Sequence, residues 1–242
     1  KLTNKFGNVN YISYIYISLT IKIVIKHMSD LYNDGKTSTT AGNVEASYDV
    51  KETATEKDIY FQEFREFDYG IDIESNIILV QDEIAQGMVF DTISKVRLLR
   101  KINKDLKSVT ILLNSPGGDV VETLALIDYI RTIKDKEGIE TNIVCRGSAM
   151  SAAALLLTAG TGLRAASKHS KIMVHQLSTF NMGKLEDVKS NAKFAEQLEE
   201  DCNSIMEECT NKDKKFWKEN QRTDYFLSAE DALELGIIDK II

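Results

Sequence analysis

From residue 75 onward, apolar positions recur in two alternating patterns: short unbroken runs, and longer stretches spaced by threes and fours. Residues 75–80 (SNIILV) form a run that reads as a buried strand. Residues 89–103 place Ile93, Val96, Leu98, Leu99 and Ile102 at helical spacing. A second strand is predicted at 109–113 (VTILL), followed by Asn114-Ser115-Pro116-Gly117-Gly118, a sharp turn holding the chain's one proline. Residues 120–134 read as a helix with Leu124, Ile127, Tyr129 and Ile130 facing inward. A third strand at 141–145 (TNIVC) leads into a tight loop of mostly small residues, 147–150. Residues 151–159 are an Ala/Leu-rich buried helix stopped at Gly160. A fourth strand spans 171–175 (KIMVH). Residues 185–210 form a long amphipathic helix with the stripe Leu185, Val188, Ala192, Ala195, Leu198, Cys202, Ile205 and Cys209. A last helix, 228–235, opens with a box-like Ser-Ala-Glu-Asp. Strands alternating with helices imply repeated βαβ units and a largely parallel sheet, an α/β fold.

The region before residue 58 has no such pattern. Residues 11–25 are apolar but interrupted by Lys22, too short for a comfortable membrane span. Residues 1–27, crowded with Ile, Lys, Asn and Tyr, read either as a stretch outside the native protein or as a targeting or anchor segment, the first being favoured. Residues 29–57 are polar and read as disordered. The expected organisation is therefore an N-terminal extension, 1–57, and one folded domain, 58–242.

Charge narrows the function. The chain carries a net −7, and the four lysines and no acids of residues 1–27 leave 26 basic and 37 acidic residues in the remainder. That balance argues against a nucleic-acid partner held by backbone electrostatics. Cys145, Cys202 and Cys209 form no C-x-x-C pair and no disulfide framework, which suits a reducing compartment. Three histidines, one of them in the tail, form no metal cluster, so neither a metal nor a cofactor is expected.

In α/β folds reactive groups gather where strands end and helices begin. Two places qualify: Gly117-Gly118, and Ser151 after TNIVCRGSAM. A helix N-terminus has unpaired N–H groups and a positive dipole end, which suit a developing oxyanion. Taken singly, each residue has a plainer reading. Gly117-Gly118 is a turn, Ser151 an N-cap, His175 a core histidine at the end of an apolar strand, and Asp224 a loop acid. His169 lies in a polar, turn-like stretch and reads as solvated. Cys145, inside an apolar strand, reads as an inert buried thiol rather than a rival nucleophile.

In combination the segments say more. LLNSPGGDV, GSAMSAAALLLTAG, IMVHQ and DYFLSAEDALELGIIDKI occur in this order. The string closely resembles the proteolytic subunit of the Clp protease family of serine peptidases, over residues 60–242, about three quarters of the chain. NSPGG alone is shared with related crotonase-fold proteins; the Ser and His segments together are specific. The resemblance implies a crotonase-like fold with a protruding handle helix, for which 185–210 is the candidate. It implies Ser151 as nucleophile, His175 as general base and Asp224 as the orienting acid, with the N–H groups of Gly118 and Ala152 as oxyanion hole. It implies polypeptide substrates cut in a chamber between two stacked heptameric rings and an AAA+ unfoldase ATPase as partner, with no membrane or nucleic acid. The lack of a convincing signal peptide favours the cytoplasm, an organelle being the alternative if residues 1–27 are a genuine targeting segment.

There are departures from the family pattern. Residues 177–181 (LSTFN) replace a proline and glycine pair after the His-Gln, beside which substrate lies. Thr223 stands where an arginine precedes the acid, with Arg222 one place earlier. The loop 146–150 is altered, and residues 58–69 match the axial-gate segment poorly. These mark a divergent branch, a virus-encoded one being one reading. Two other function classes compete: a catalytically silent ring subunit, which would have lost a triad residue, and a crotonase-type acyl-CoA enzyme or binder, for which no basic cluster is seen.

Overall fold

The computed structural model describes residues 69–242. The expectations for residues 1–57 and for a domain start at Asp58 lie outside the described residues. Among the described residues are eight strands: β1 (Ile71–Asp72), β2 (Ile77–Gln81), β3 (Ser108–Ser115), β4 (Glu140–Met150), β5 (Arg164–Ala166), β6 (Lys171–Val174), β7 (Tyr225–Leu227) and β8 (Lys240–Ile241). Six helices join them: α1 (Gln86–Ile102), α2 (Val120–Glu137), α3 (Ala152–Thr158), α4 (Leu185–Cys209), α5 (Lys214–Asn220) and α6 (Ala229–Leu235). None of these helices is long and apolar enough to cross a membrane.

The sheet runs β1-β2-β3-β4-β5-β8, with β6 paired to β4 and β7 to β6. Every pairing from β2 to β8 is parallel except β6 with β7, and β1 with β2 is also antiparallel. The expected repeated βαβ units are thus present. In β3 the residues Val109, Ile111, Leu113 and Ser115 face inward at period two. Against that face pack Val96 and Leu99 of α1, Leu126, Ile127 and Ile130 of α2, and the whole of α3, forming one core.

Two readings of pattern need correction, for α1 and for residues 147–150, and that for α2 is extended. On α1 the buried face is Val89, Thr92, Val96 and Leu99, while Leu98 and Ile102 are 41% and 53% exposed. Steps of three and four from Val89 reach Leu99 and leave its neighbours outside. On α2 the fully buried face runs through Thr123, Leu126, Ile127, Ile130 and Ile133, with Leu124 and Tyr129 at its edge. Residues 147–150 are not a loop: β4 continues to Met150 and changes partner on the way, from β5 at Ile143–Cys145 to β6 at Ser148–Met150.

That change of partner explains how the turn and the serine segment meet. The β3–β4 register slips between Leu113 and Ser115. The Asn114 side chain fills the slip, with Oδ1 accepting from Ser148 N at 2.9 Å and Oγ at 3.2 Å. Gly147 (φ 109°) makes room, since a Cβ there would lie 2.5 Å from Asn114 Oδ1. The asparagine of NSPGG therefore ties the end of β3 to the strand that delivers Ser151.

The long helix α4 buries only Asn203, Ile205 and Met206; Leu185 and Phe194 are 68% and 53% exposed. The apolar stripe is real, but its N-terminal part leaves the core, in keeping with the handle expected at 185–210.

Candidate active site

Ser151 sits between β4 and α3 with φ 53° and ψ −126°, a conformation costly for a residue with a Cβ. Its backbone N–H donates to Met173 O at 2.8 Å, which fixes the turn against β6. Ser151 occupies the N-cap position of α3 yet its side chain caps nothing. Its Oγ instead lies 2.7 Å from His175 Nε2. The bland N-cap reading therefore fails on geometry.

His175 follows β6 directly, two residues beyond the carbonyl that holds Ser151. Its side chain is 22% exposed at the cleft. The antiparallel register Val174↔Tyr225 brings the next pair, His175 and Asp224, opposite each other. Asp224 Oδ1 stands 3.9 Å from His175 Nδ1, and the carboxylate is 59% exposed. That separation exceeds hydrogen-bond length, so the third member is adjacent but not engaged.

The glycine pair closes the other side. A Cβ at Gly117 would meet Ser151 Cβ at 2.7 Å and Met150 O at 2.6 Å, and one at Gly118 would meet Ile84 O at 2.2 Å. Both positions have positive φ, 101° and 149°. Ile84 N donates to Gly117 O and Asp119 N to Ile84 O, a bridge that leaves the Gly118 N–H without a partner among the described residues. Ala152 N–H, first in α3, lies before the helical hydrogen bonds begin. The structure thus brings together all five residues singled out in the sequence. His169 is exposed and Cys145 buried, as expected.

Gly118, Ser151, Ala152 and His175 border a cleft of about 420 Å³ that sequence reasoning did not foresee in full. Its far wall is α4, through Phe194, Leu198, Glu199, Cys202 and Met206. The stripe on 185–210 was visible in the sequence, but not that its members Ala195, Leu198 and Cys202 line the cleft beside the nucleophile. Cys202 is pushed up to about 11, by burial first and then by the charges of Asp201 and Glu199. It is thereby a poor nucleophile at neutral pH. Gln176 and Gln221 were also missed; Gln176 N donates to Gln221 O at 2.6 Å, joining the histidine strand to the end of α5.

A hydroxyl on a strained strand-to-helix turn, an imidazole nitrogen on its oxygen and unpaired N–H groups beside it make the arrangement of a serine hydrolase. Comparison with known proteins gives the class its family. The Clp protease family model matches residues 43–242. The chain is 34% identical over 171 residues to the ATP-dependent Clp protease proteolytic subunit 2 of Chlamydia trachomatis serovar D, covering 70% of this chain and 82% of that protein. It is 33% identical, with the same coverage, to the proteolytic subunit 1 of Chlamydia felis. The proteolytic subunit 2 of Chlamydia abortus is 33% identical, over 70% of this chain and 81% of its own. The chain belongs to the Clp protease family, and its activity is that of a serine peptidase.

Proposed function

We propose that residues 58–242 form a peptidase domain that hydrolyses peptide bonds of unfolded proteins and peptides. Ser151 is the nucleophile, His175 the general base and then acid, and Asp224 the group that orients the imidazole. The 2.7 Å contact between His175 Nε2 and Ser151 Oγ carries the reading. As Oγ attacks the scissile carbonyl carbon, His175 takes its proton, and the carbonyl oxygen becomes an oxyanion between the N–H groups of Gly118 and Ala152. The imidazolium returns the proton to the leaving amine, and water repeats the sequence on the acyl-enzyme. Asp224 must move in by about 1 Å to accept from Nδ1–H. Its exposure and its place beside a three-residue strand make that a small rearrangement.

The reading includes a homo-oligomer of two stacked heptameric rings enclosing the sites, fed by an AAA+ unfoldase ATPase. The exposed first part of α4 supports the assembly, and the relatives' names describe them as ATP-dependent and as proteolytic subunits. The three free cysteines support a reducing, cytoplasmic setting.

The test pairs the full chain with its Ser151→Ala variant on a fluorogenic short peptide, with a sizing column reporting assembly. The variant is expected to fold, to form the same species and to lose about 10⁴-fold or more in turnover. A serine-directed phosphonate is expected to label Ser151 alone. Turnover retained in a clean Ser151→Ala preparation would refute the triad.

A further inference from the structure

The cleft beside Ser151 is apolar along one side, where Leu155, Leu198, Cys202 and Met206 line it. Two carboxylates, Asp119 and Glu199, also line it, and no lysine or arginine does. The two carboxylates differ. Asp119 is occupied as the N-cap of α2, accepting from Glu122 N at 3.0 Å. Glu199 meets only a neutral partner: Gln176 Nε2 donates to its two oxygens at 3.3 and 3.2 Å, the long end of hydrogen bonding. No lysine, arginine or histidine forms an ion pair with Glu199 among the described residues.

The contrast with the next residue is informative. Glu200 is exposed, does not line the cleft and holds Lys214 and Lys218, each at 2.7 Å. Cations close at hand are thus committed to the outer carboxylate, and the one facing the cleft is left to a neutral amide. The field of Glu199 reaches the cleft interior, where it contributes to raising the Cys202 thiol.

An apolar cleft wall beside a half-buried carboxylate without a cation fits one kind of side chain: a long aliphatic stem with a positive head. We infer that Glu199 is a specificity-determining residue that favours lysine or arginine at the substrate position whose carbonyl Ser151 attacks. The stem lies along Leu198, Cys202 and Met206, and the head replaces the weak Gln176 contact with a charge-assisted one. An acidic residue at that position meets two carboxylates and is repelled. The inference rests on the peptidase reading above.

Three fluorogenic peptides identical except at that position, carrying lysine, norleucine or glutamate, test it on the full chain. Norleucine matches the aliphatic stem without the charge. The expected ratio of kcat/KM for lysine over norleucine is about tenfold, with glutamate poorest. In Glu199→Gln the ratio is expected to fall to about one, and in Glu199→Lys glutamate is expected to become the preferred residue. A parent that cuts norleucine as well as lysine, or a ratio that survives in Glu199→Gln, overturns the inference and leaves the peptidase reading standing. Failure to cut any of the three, with no phosphonate label on Ser151, overturns both.

Discussion

A single residue carries the main conflict between folding and chemistry in this chain. At the start of a helix a serine ordinarily adopts extended backbone angles and accepts a hydrogen bond from the first turn. Ser228 does so at α6, in a reciprocal capping box with Asp231. Ser151 has the same position at α3 but φ 53°, with its hydroxyl turned to His175. The helix forgoes a cap, and the backbone holds a strained conformation worth about 1–3 kcal/mol. The strain is backbone in origin, so alanine keeps it and glycine relieves it. Ser151→Gly is therefore expected to be more stable than Ser151→Ala by about 1 kcal/mol, both being inactive. Denaturant unfolding of the two variants measures this, and an alanine variant as stable as the glycine one would mean that the turn is unstrained.

At the scale of elements, the ends of three helices converge on one side chain. Arg164 of β5 donates through Nη1 to the carbonyls of Thr158, Cys209 and Gly236, at the C-terminal ends of α3, α4 and α6. It also pairs with Asp239 through Nη2 at 2.5 Å and Nε at 3.1 Å. Helix C-termini expose unsatisfied carbonyls and a negative dipole end, so one guanidinium answers three of them. Burial acts to raise the Asp239 pKa, but the hydrogen bonds and charge of Arg164 hold it below its ordinary value. A depressed carboxylate contributes stability that is present above the unfolded pKa and lost as pH falls through the folded one. Arg164→Met is expected to destabilise by about 3 kcal/mol at neutral pH and to flatten this acid-side loss. Unfolding midpoints at a series of pH values below 5 check both effects. A variant as acid-sensitive as the parent would assign the loss to other carboxylates. Neither β5 nor β8, which Arg164 and Asp239 anchor, was legible in the sequence. Strands of three and two residues show no period, and β7 fails for the same reason, whereas α3 and α6 were read from their apolar run and capping box. The end of β4 was hidden by its small residues, and α5 by having only Trp217 buried. The long runs, by contrast, specify themselves: β3, β4 to Cys145, α1, α2 and α4 fall where the pattern puts them. Ser151 and His175 were legible as strand and helix ends, but Asp224 becomes a partner of His175 only through the β6–β7 register, which no local pattern encodes.

At the scale of the whole molecule, α4 connects assembly to chemistry. A helix of 25 residues is about 37 Å long, far more than its buried segment Asn203–Met206 requires for anchoring. Its residues from Asn191 to Met206 line the cleft beside Ser151, and its outer end carries Leu185, preceded by the exposed Phe180 and Met182. An apolar stripe that runs off the core is costly in water for a lone chain, and a second copy is the partner that the proposed ring stack supplies. Under that reading a charge at Leu185 would be buried without a counter-ion at each ring-to-ring contact. Leu185→Asp is therefore expected to leave the helical circular dichroism unchanged while the double ring falls to a species of about half its mass or less, since each uncompensated buried carboxylate costs several kcal/mol. Light scattering on a sizing column measures it. A fall in mass together with a loss of peptide turnover would show that contacts at the tip of α4 hold the cleft at its base in working shape. An unchanged mass would remove the outer end of α4 from the ring interface and leave its apolar residues to another partner.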